Sequence, residues 1–186
     1  MNFANKISTF RILTVPFFVA TVIYYTSARD YLRFVALGIF LLAVVSDAFD
    51  GYIARKSKQM SPAGLILDPL GDKLILLSAF ICLSWEKFPL NFPLWVIIIV
   101  ISRDVLILLG TVVIYMVKQD INILPTKWGK FTTAFQMAAV ISVLLQWRIA
   151  PIFWWLAVFF TLISGIDYIM RGFKKLYALD NHRNNR

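Results

Sequence analysis

Asp47-Ala48-Phe49-Asp50-Gly51-Tyr52-Ile53-Ala54-Arg55, then eight residues, then Gly64, Asp68 and Asp72, places four carboxylates inside stretches that are otherwise apolar. An acidic side chain at membrane depth costs about 2.5–3.5 kcal/mol on insertion scales. Four at one spacing mark the place where function should be sought.

Read as helix, Asp47, Asp50, Gly51 and Ala54 fall at i, i+3, i+4 and i+7, and so share one face at about 100° per residue. Gly64, Asp68 and Asp72 repeat at i, i+4 and i+8 and share a stripe of their own. Ser61-Pro62 reads as an N-cap followed by a proline in the first helical position. A chain folding back near residue 59 then brings Asp50 level with Asp68 and Asp47 level with Asp72. Four like charges cannot stay ionised together in a low dielectric without cations, and an all-oxygen donor set favours Mg²⁺ or Mn²⁺. A site holding a pair of metals is expected. Gly51, Ala54 and Gly64 lie on the acidic faces, where their lack of bulk would let a flat or phosphorylated ligand approach the backbone. Close helix packing through small residues is the other reading of the same three.

The surroundings place this hairpin in a bilayer. The chain has 186 residues, 60% of them hydrophobic, with a mean hydropathy of +0.74, more apolar surface than one soluble core of this size can hide. Apolar runs fall near 12–26, 34–54, 63–85, 89–117, 131–147 and 149–170, each able to cross or nearly cross a hydrocarbon core of about 30 Å. An all-α integral membrane bundle of six transmembrane helices is expected. It would occupy residues 1–175 as one domain, with a polar cytoplasmic tail at 176–186. The run 12–26 has the flanks of a cleaved signal peptide. Pro16 breaks that run, and the later segments make a consistent bundle only with it, so retention is expected.

Six spans put both termini on one side. That side receives Lys6, Arg11, Arg55, Lys56, Lys58, Lys118, Lys127, Lys130, Arg171, Lys174, Lys175, Arg183 and Arg186; the other receives Arg29, Arg33, Lys87 and Arg148, with Lys73 and Arg103 inside spans. Thirteen against four makes the terminal side, and the 55–62 loop with it, cytoplasmic. The formal charge of +9 is then topogenic and lipid-directed. No basic helix, zinc spacing or RNA-binding motif supports a nucleic-acid partner. The single cysteine, Cys82, lies in an apolar run and forms no disulfide framework, and His182 lies in the polar tail.

The spacing resembles the signature of the CDP-alcohol phosphatidyltransferase family at all eight of its fixed positions: Asp47, Asp50, Gly51, Ala54, Arg55, Gly64, Asp68 and Asp72. The likeness extends to Asn2…Ser8-x-x-Arg11…Pro16, to Asp68-Pro69-Leu70-Gly71-Asp72-Lys73 and to Ser164-Gly165-Ile166-Asp167-Tyr168, leaving out only the tail after about Lys175. It implies a homodimeric enzyme of the inner membrane, with its active site at the cytoplasmic face, that moves a phosphatidyl group from CDP-diacylglycerol to an alcohol and releases CMP. By the same resemblance Asp47, Asp50 and Asp68 hold two metal ions, while Asp72 completes the site and acts as general base. Gly51, Ala54, Arg55 and Gly64 line the cytidine diphosphate pocket. Arg55 has the alternative of a topogenic residue beside Lys56 and Lys58.

For the acceptor, Arg103 in mid-helix would meet a phosphate, or else form a structural ion pair with Asp104. Lys127 and Lys130 flank Gly129 at the start of the fifth helix and are further candidates. The likeness in size and ends is greatest to family members that use sn-glycerol 3-phosphate, although those usually carry an arginine at the position of Thr111 and a lysine at that of Thr132. Ile101-Ser102-Arg103-Asp104-Val105 and Pro125-Thr126-x-x-Gly129-Lys130-x-Thr132-Thr133-Ala134-x-Gln136 are similar to members whose acceptor is phosphatidylglycerol. Glycerol 3-phosphate is expected first and phosphatidylglycerol second. Two other classes use the same acids, a cation or proton-coupled transporter and a lipid-binding scaffold with a structural ion. Neither would release CMP from CDP-diacylglycerol.

Overall fold

The computed structural model describes residues 3–57, 64–118 and 127–184, with side chains placed over 13–46, 73–110 and 127–172. Six α-helices account for most of these residues: α1 (Phe3–Ile23), α2 (Tyr31–Ser57), α3 (Gly64–Cys82), α4 (Leu94–Lys118), α5 (Lys127–Leu144) and α6 (Ala150–Asn184). A short 3₁₀ turn, Ser27–Arg29, precedes α2, and no strand occurs among the described residues. Each helix overlaps one expected apolar run. The shortest, α5, has 18 residues, about 27 Å at 1.5 Å per residue. Among the described residues one helix, Ala150–Gly172, is long and apolar enough to cross a membrane by itself, with a mean hydropathy of 1.8; Leu13–Ile23, Tyr31–Ser46 and Lys73–Cys82 are shorter apolar stretches.

Two features go beyond the apolar runs. Pro16, which interrupts the apolar run, lies inside α1, and that helix already begins at Phe3. A proline forfeits one backbone hydrogen bond and crowds the carbonyl four residues back. Packing of α1 along both α2 and α3 outweighs that local loss. The polar tail continues α6 as helix to Asn184. The Ser61-Pro62 cap falls outside the described residues.

The chain forms two compact units, Met1–Phe92 with Val140–Ala150, and Pro93–Ala139 with Pro151–Arg186. In the first, α1 buries Phe18 and Val22, and α2 buries Ala36, Phe40 and Ala43, each set at helical spacing. The Phe18 and Phe40 rings meet at 6.1 Å, and the two alanines on α2 let a neighbour approach closely. The end of this unit carrying Arg29, Arg33, Lys87 and Arg148 is tied by specific contacts. Tyr25 stacks on Phe88 at 4.2 Å, Lys87 Nζ donates to the Ile23 carbonyl at 2.8 Å, and Gln146 grips both backbone groups of Leu90. The Gln146 Oε1 accepts from Leu90 N at 2.8 Å, and its Nε2 donates to the Leu90 carbonyl at 3.1 Å.

Gln146 also ends α5. Its φ of 53° is left-handed, its N–H donates to Val143 O, and the Trp147 N–H donates to Ser142 O. These two bonds make a Schellman cap in which glycine is the usual residue.

In the second unit the buried stripes of α4 and α6 turn polar part-way along. On α4, Val96 and Val100 are followed at the next turn by buried Arg103; on α6, Ala157 is followed by Thr161 and Ser164. Their outward faces stay apolar, with Leu94, Ile98, Leu106 and Leu109 on α4 and Ile152, Trp155, Phe159, Leu162, Ile166 and Ile169 on α6 all exposed. Apolar outside and polar within is the arrangement a lipid solvent selects.

Candidate active site

Backbone placement follows the sequence pattern. Asp47, Asp50, Gly51, Ala54 and Arg55 lie in the C-terminal part of α2, Gly64 opens α3, and Asp68 and Asp72 follow on α3. Helical register therefore puts Asp47 with Asp50 on one face of α2, and Asp68 with Asp72 on one face of α3. The side chains of these eight residues lie outside the described set, so the expected meeting of the four carboxylates rests on register and not on measured distances. Among the described residues no group of His, Cys, Asp and Glu could hold a metal. The donor chemistry of the aspartate set, oxygen throughout with neither sulfur nor imidazole, fits a hard divalent cation.

The second unit contains the three candidate acceptor cations, in two settings. Lys127 and Lys130 are exposed in the first turn of α5. Arg103 is buried in mid-α4 at 8% exposure. Its Nη1 donates to Asp104 Oδ1 at 2.7 Å and its Nη2 to Ser164 Oγ of α6 at 2.6 Å. The Arg103–Asp104 ion pair foreseen as one alternative is thus formed, and it carries an interhelical bond as well. A buried charge needs such partners, because its desolvation costs several kcal/mol that only close, well-aimed contacts recover.

Sequence reasoning did not connect the residues that complete this polar seam. Thr132 Oγ1 lies 2.9 Å from both the Trp128 and the Phe160 carbonyls. Gln136 Nε2 donates to Thr161 Oγ1 at 3.2 Å, and Thr161 Oγ1 donates to the Ala157 carbonyl at 2.6 Å. Tyr168 donates its hydroxyl to the Ile107 carbonyl at 3.1 Å. Arg103 with Ser164, then Ile107 with Tyr168, run the same way along both helices, so α4 and α6 lie parallel. The signal for these partners is faint: each is a polar residue at a position where helical periodicity asks for an apolar one.

A family profile described as CDP-alcohol phosphatidyltransferase matches residues 1–163, which include the whole acidic pattern. The chain belongs to the CDP-alcohol phosphatidyltransferase family. Full-length relatives agree. A CDP-diacylglycerol–glycerol-3-phosphate 3-phosphatidyltransferase of Bacillus subtilis is 32% identical over 202 residues, covering 94% of this chain and 97% of that protein. One of the same name from Aquifex aeolicus is 30% identical over 191 residues, covering 95% and 99%. A probable phosphatidylglycerophosphate synthase of Mycobacterium tuberculosis is 28% identical over 181 residues, covering 94% and 83%. As a CDP-alcohol phosphatidyltransferase the protein is a transferase of a membrane-embedded, generally divalent-metal-dependent family.

Proposed function

We propose that this enzyme transfers the phosphatidyl group of CDP-diacylglycerol to sn-glycerol 3-phosphate, releasing CMP and forming phosphatidylglycerol phosphate. The observation that carries the reading is the complete acidic pattern spread over α2 and α3, in a chain whose relatives take their names from that reaction.

Asp47, Asp50 and Asp68 hold two divalent ions, Mg²⁺ or Mn²⁺, and Asp72 completes the donor set. Bound ions would neutralise the pyrophosphate oxygens and the charge growing on the departing CMP. Asp72 accepts the proton of the acceptor hydroxyl as its oxygen bonds to phosphorus and the bond to CMP breaks. Gly51, Ala54 and Gly64 leave room for the cytidine diphosphate, with Arg55 as its charge partner. Arg103, Lys127 and Lys130 receive the phosphate of the acceptor.

All six helices cross the inner membrane, both termini and the active site face the cytoplasm, and two copies form a homodimer. The thirteen-to-four distribution of cations supports the orientation. Phosphatidylglycerol as acceptor, or a transporter, is not favoured, because the relatives are named for glycerol 3-phosphate.

The test is to incubate purified protein with CDP-diacylglycerol, Mg²⁺ or Mn²⁺, and either glycerol 3-phosphate or phosphatidylglycerol, and to identify the lipid formed. Phosphatidylglycerol phosphate with CMP release supports the reading. Cardiolipin, or no CMP with either acceptor, overturns it.

A further inference from the structure

Two buried atoms of the second unit lack the partners that their burial demands. Arg103 Nε and Asp167 Oδ2 have no hydrogen-bond partner among the described residues. One is a donor and the other an acceptor. Left unmet, each costs about 1–3 kcal/mol, and more for a charged group.

Both belong to one seam. The Arg103 guanidinium rests on Ser164 Oγ at 2.6 Å, and Asp167 follows Ser164 by three residues on α6, which makes them neighbours one turn apart. The remaining atoms of both groups are engaged elsewhere. Arg103 Nη1 is held by Asp104, and Asp167 Oδ1 accepts from Arg171 Nε at 2.9 Å. Arg103 is thus fixed through Nη1 and Nη2 by Asp104 and Ser164 with its Nε–H unspent, while Asp167 is fixed by Arg171 with Oδ2 unspent. A small ligand that satisfies both must offer an oxygen acceptor and a hydroxyl donor together.

We propose that Arg103 Nε and Asp167 Oδ2 jointly hold a hydroxylated phosphate acceptor, a phosphate oxygen on the arginine and the hydroxyl that does not react on the aspartate. Asp167 is then a specificity-determining residue. It favours an acceptor with two hydroxyls over one that carries only the reacting group. This inference rests on the proposed use of glycerol 3-phosphate and names the contact by which its second hydroxyl is read.

The experiment measures kcat/KM with CDP-diacylglycerol and Mg²⁺ for glycerol 3-phosphate and for 3-hydroxypropyl phosphate, which keeps the phosphate and the reacting hydroxyl but lacks the central one. It compares the unmodified enzyme with Asp167→Ala and Asp167→Asn. The unmodified enzyme should prefer glycerol 3-phosphate by at least about tenfold, as a site built to hydrogen-bond a hydroxyl does. Asp167→Ala should bring the ratio to about one, through the KM for glycerol 3-phosphate and not that for CDP-diacylglycerol. Asp167→Asn, which keeps the shape and can donate to the hydroxyl oxygen, should fall between, and it carries the test if the alanine variant does not fold. An unmodified enzyme without preference, or a preference that both variants retain, overturns the inference; the second result is what a buried water bridging the two groups would give. An unmodified enzyme that ignores glycerol 3-phosphate altogether removes the underlying reading, and the inference with it, and differs visibly from an active enzyme that does not discriminate.

Discussion

Tyr168 occupies the space that a side chain at Gly110 would need: a Cβ built on Gly110 would lie 2.8 Å from Tyr168 Cε1 and 3.1 Å from its hydroxyl. The hydroxyl donates to the Ile107 carbonyl at 3.1 Å, so the ring cannot swing aside without losing that bond. Gly110→Ala gains about 1 kcal/mol of helix propensity and meets about 1–3 kcal/mol of overpacking. Net destabilisation is expected, measured as a lower unfolding temperature in detergent. With Tyr168 replaced by leucine the clash disappears, and the same Gly110→Ala change should become stabilising. An unchanged sign in that background would rule out the ring as the cause.

The Arg103–Asp104–Ser164 cluster separates stability from activity. Asp104→Ala strands a buried guanidinium and should cost about 3–5 kcal/mol, and Ser164→Ala about 1–3 kcal/mol. Arg103→Met combined with Asp104→Leu removes both charges at similar volume and should restore most of the folding stability. If Arg103 also receives acceptor phosphate, the double variant should fold and still fail to use glycerol 3-phosphate. Chemical unfolding read beside acceptor KM distinguishes the two roles.

Gln146 carries a backbone cost in return for two contacts. In the left-handed region a residue with a Cβ is disfavoured by about 1–2 kcal/mol, and Gln146 stands there at φ 53° while bonding both backbone groups of Leu90. Gln146→Ala keeps the strain and loses the bonds, whereas Gln146→Gly loses the bonds and relieves the strain. Both should be less stable than the parent, with alanine the worse by about 1 kcal/mol. Thermal unfolding of the two variants side by side checks the order.

Helix positions and the acidic pattern were legible because both are local. Runs of apolar residues bounded by charged or proline-containing breaks located all six helices, with the largest misses at the start of α1, which begins at Phe3, and at the end of α6, which runs on to Asn184 through polar residues that carry no apolar signal. The aspartates could be assigned to helical faces because i, i+3 and i+4 spacing needs no tertiary information. The seam between α4 and α6 was only half legible. Arg103 announced itself as a charge in an apolar helix, but the choice of Ser164 as its partner, and of Ile107 for Tyr168, depends on how two helices distant in sequence come into register. Gln146 gave no signal at all, since glutamine is not a residue that marks a left-handed cap; its reason lies in the Leu90 backbone across the fold.

The acidic pattern gives the prediction on which the enzymatic reading stands. Chelation of divalent ions should abolish CMP release from CDP-diacylglycerol, and added Mg²⁺ or Mn²⁺ should restore it, since four carboxylates brought together as proposed would need cations both to coexist and to engage a pyrophosphate. Substituting any one of Asp47, Asp50 or Asp68 by asparagine should raise the metal concentration needed for half-maximal activity and lower turnover by at least about a hundredfold. Asp72→Asn should behave differently. If its main task is to accept the hydroxyl proton, turnover falls by about 10²–10⁴-fold while CDP-diacylglycerol still binds. Calorimetric binding of the nucleotide lipid to that variant, set beside its turnover, decides the point: full activity in Asp72→Asn would show that the proton leaves by another route.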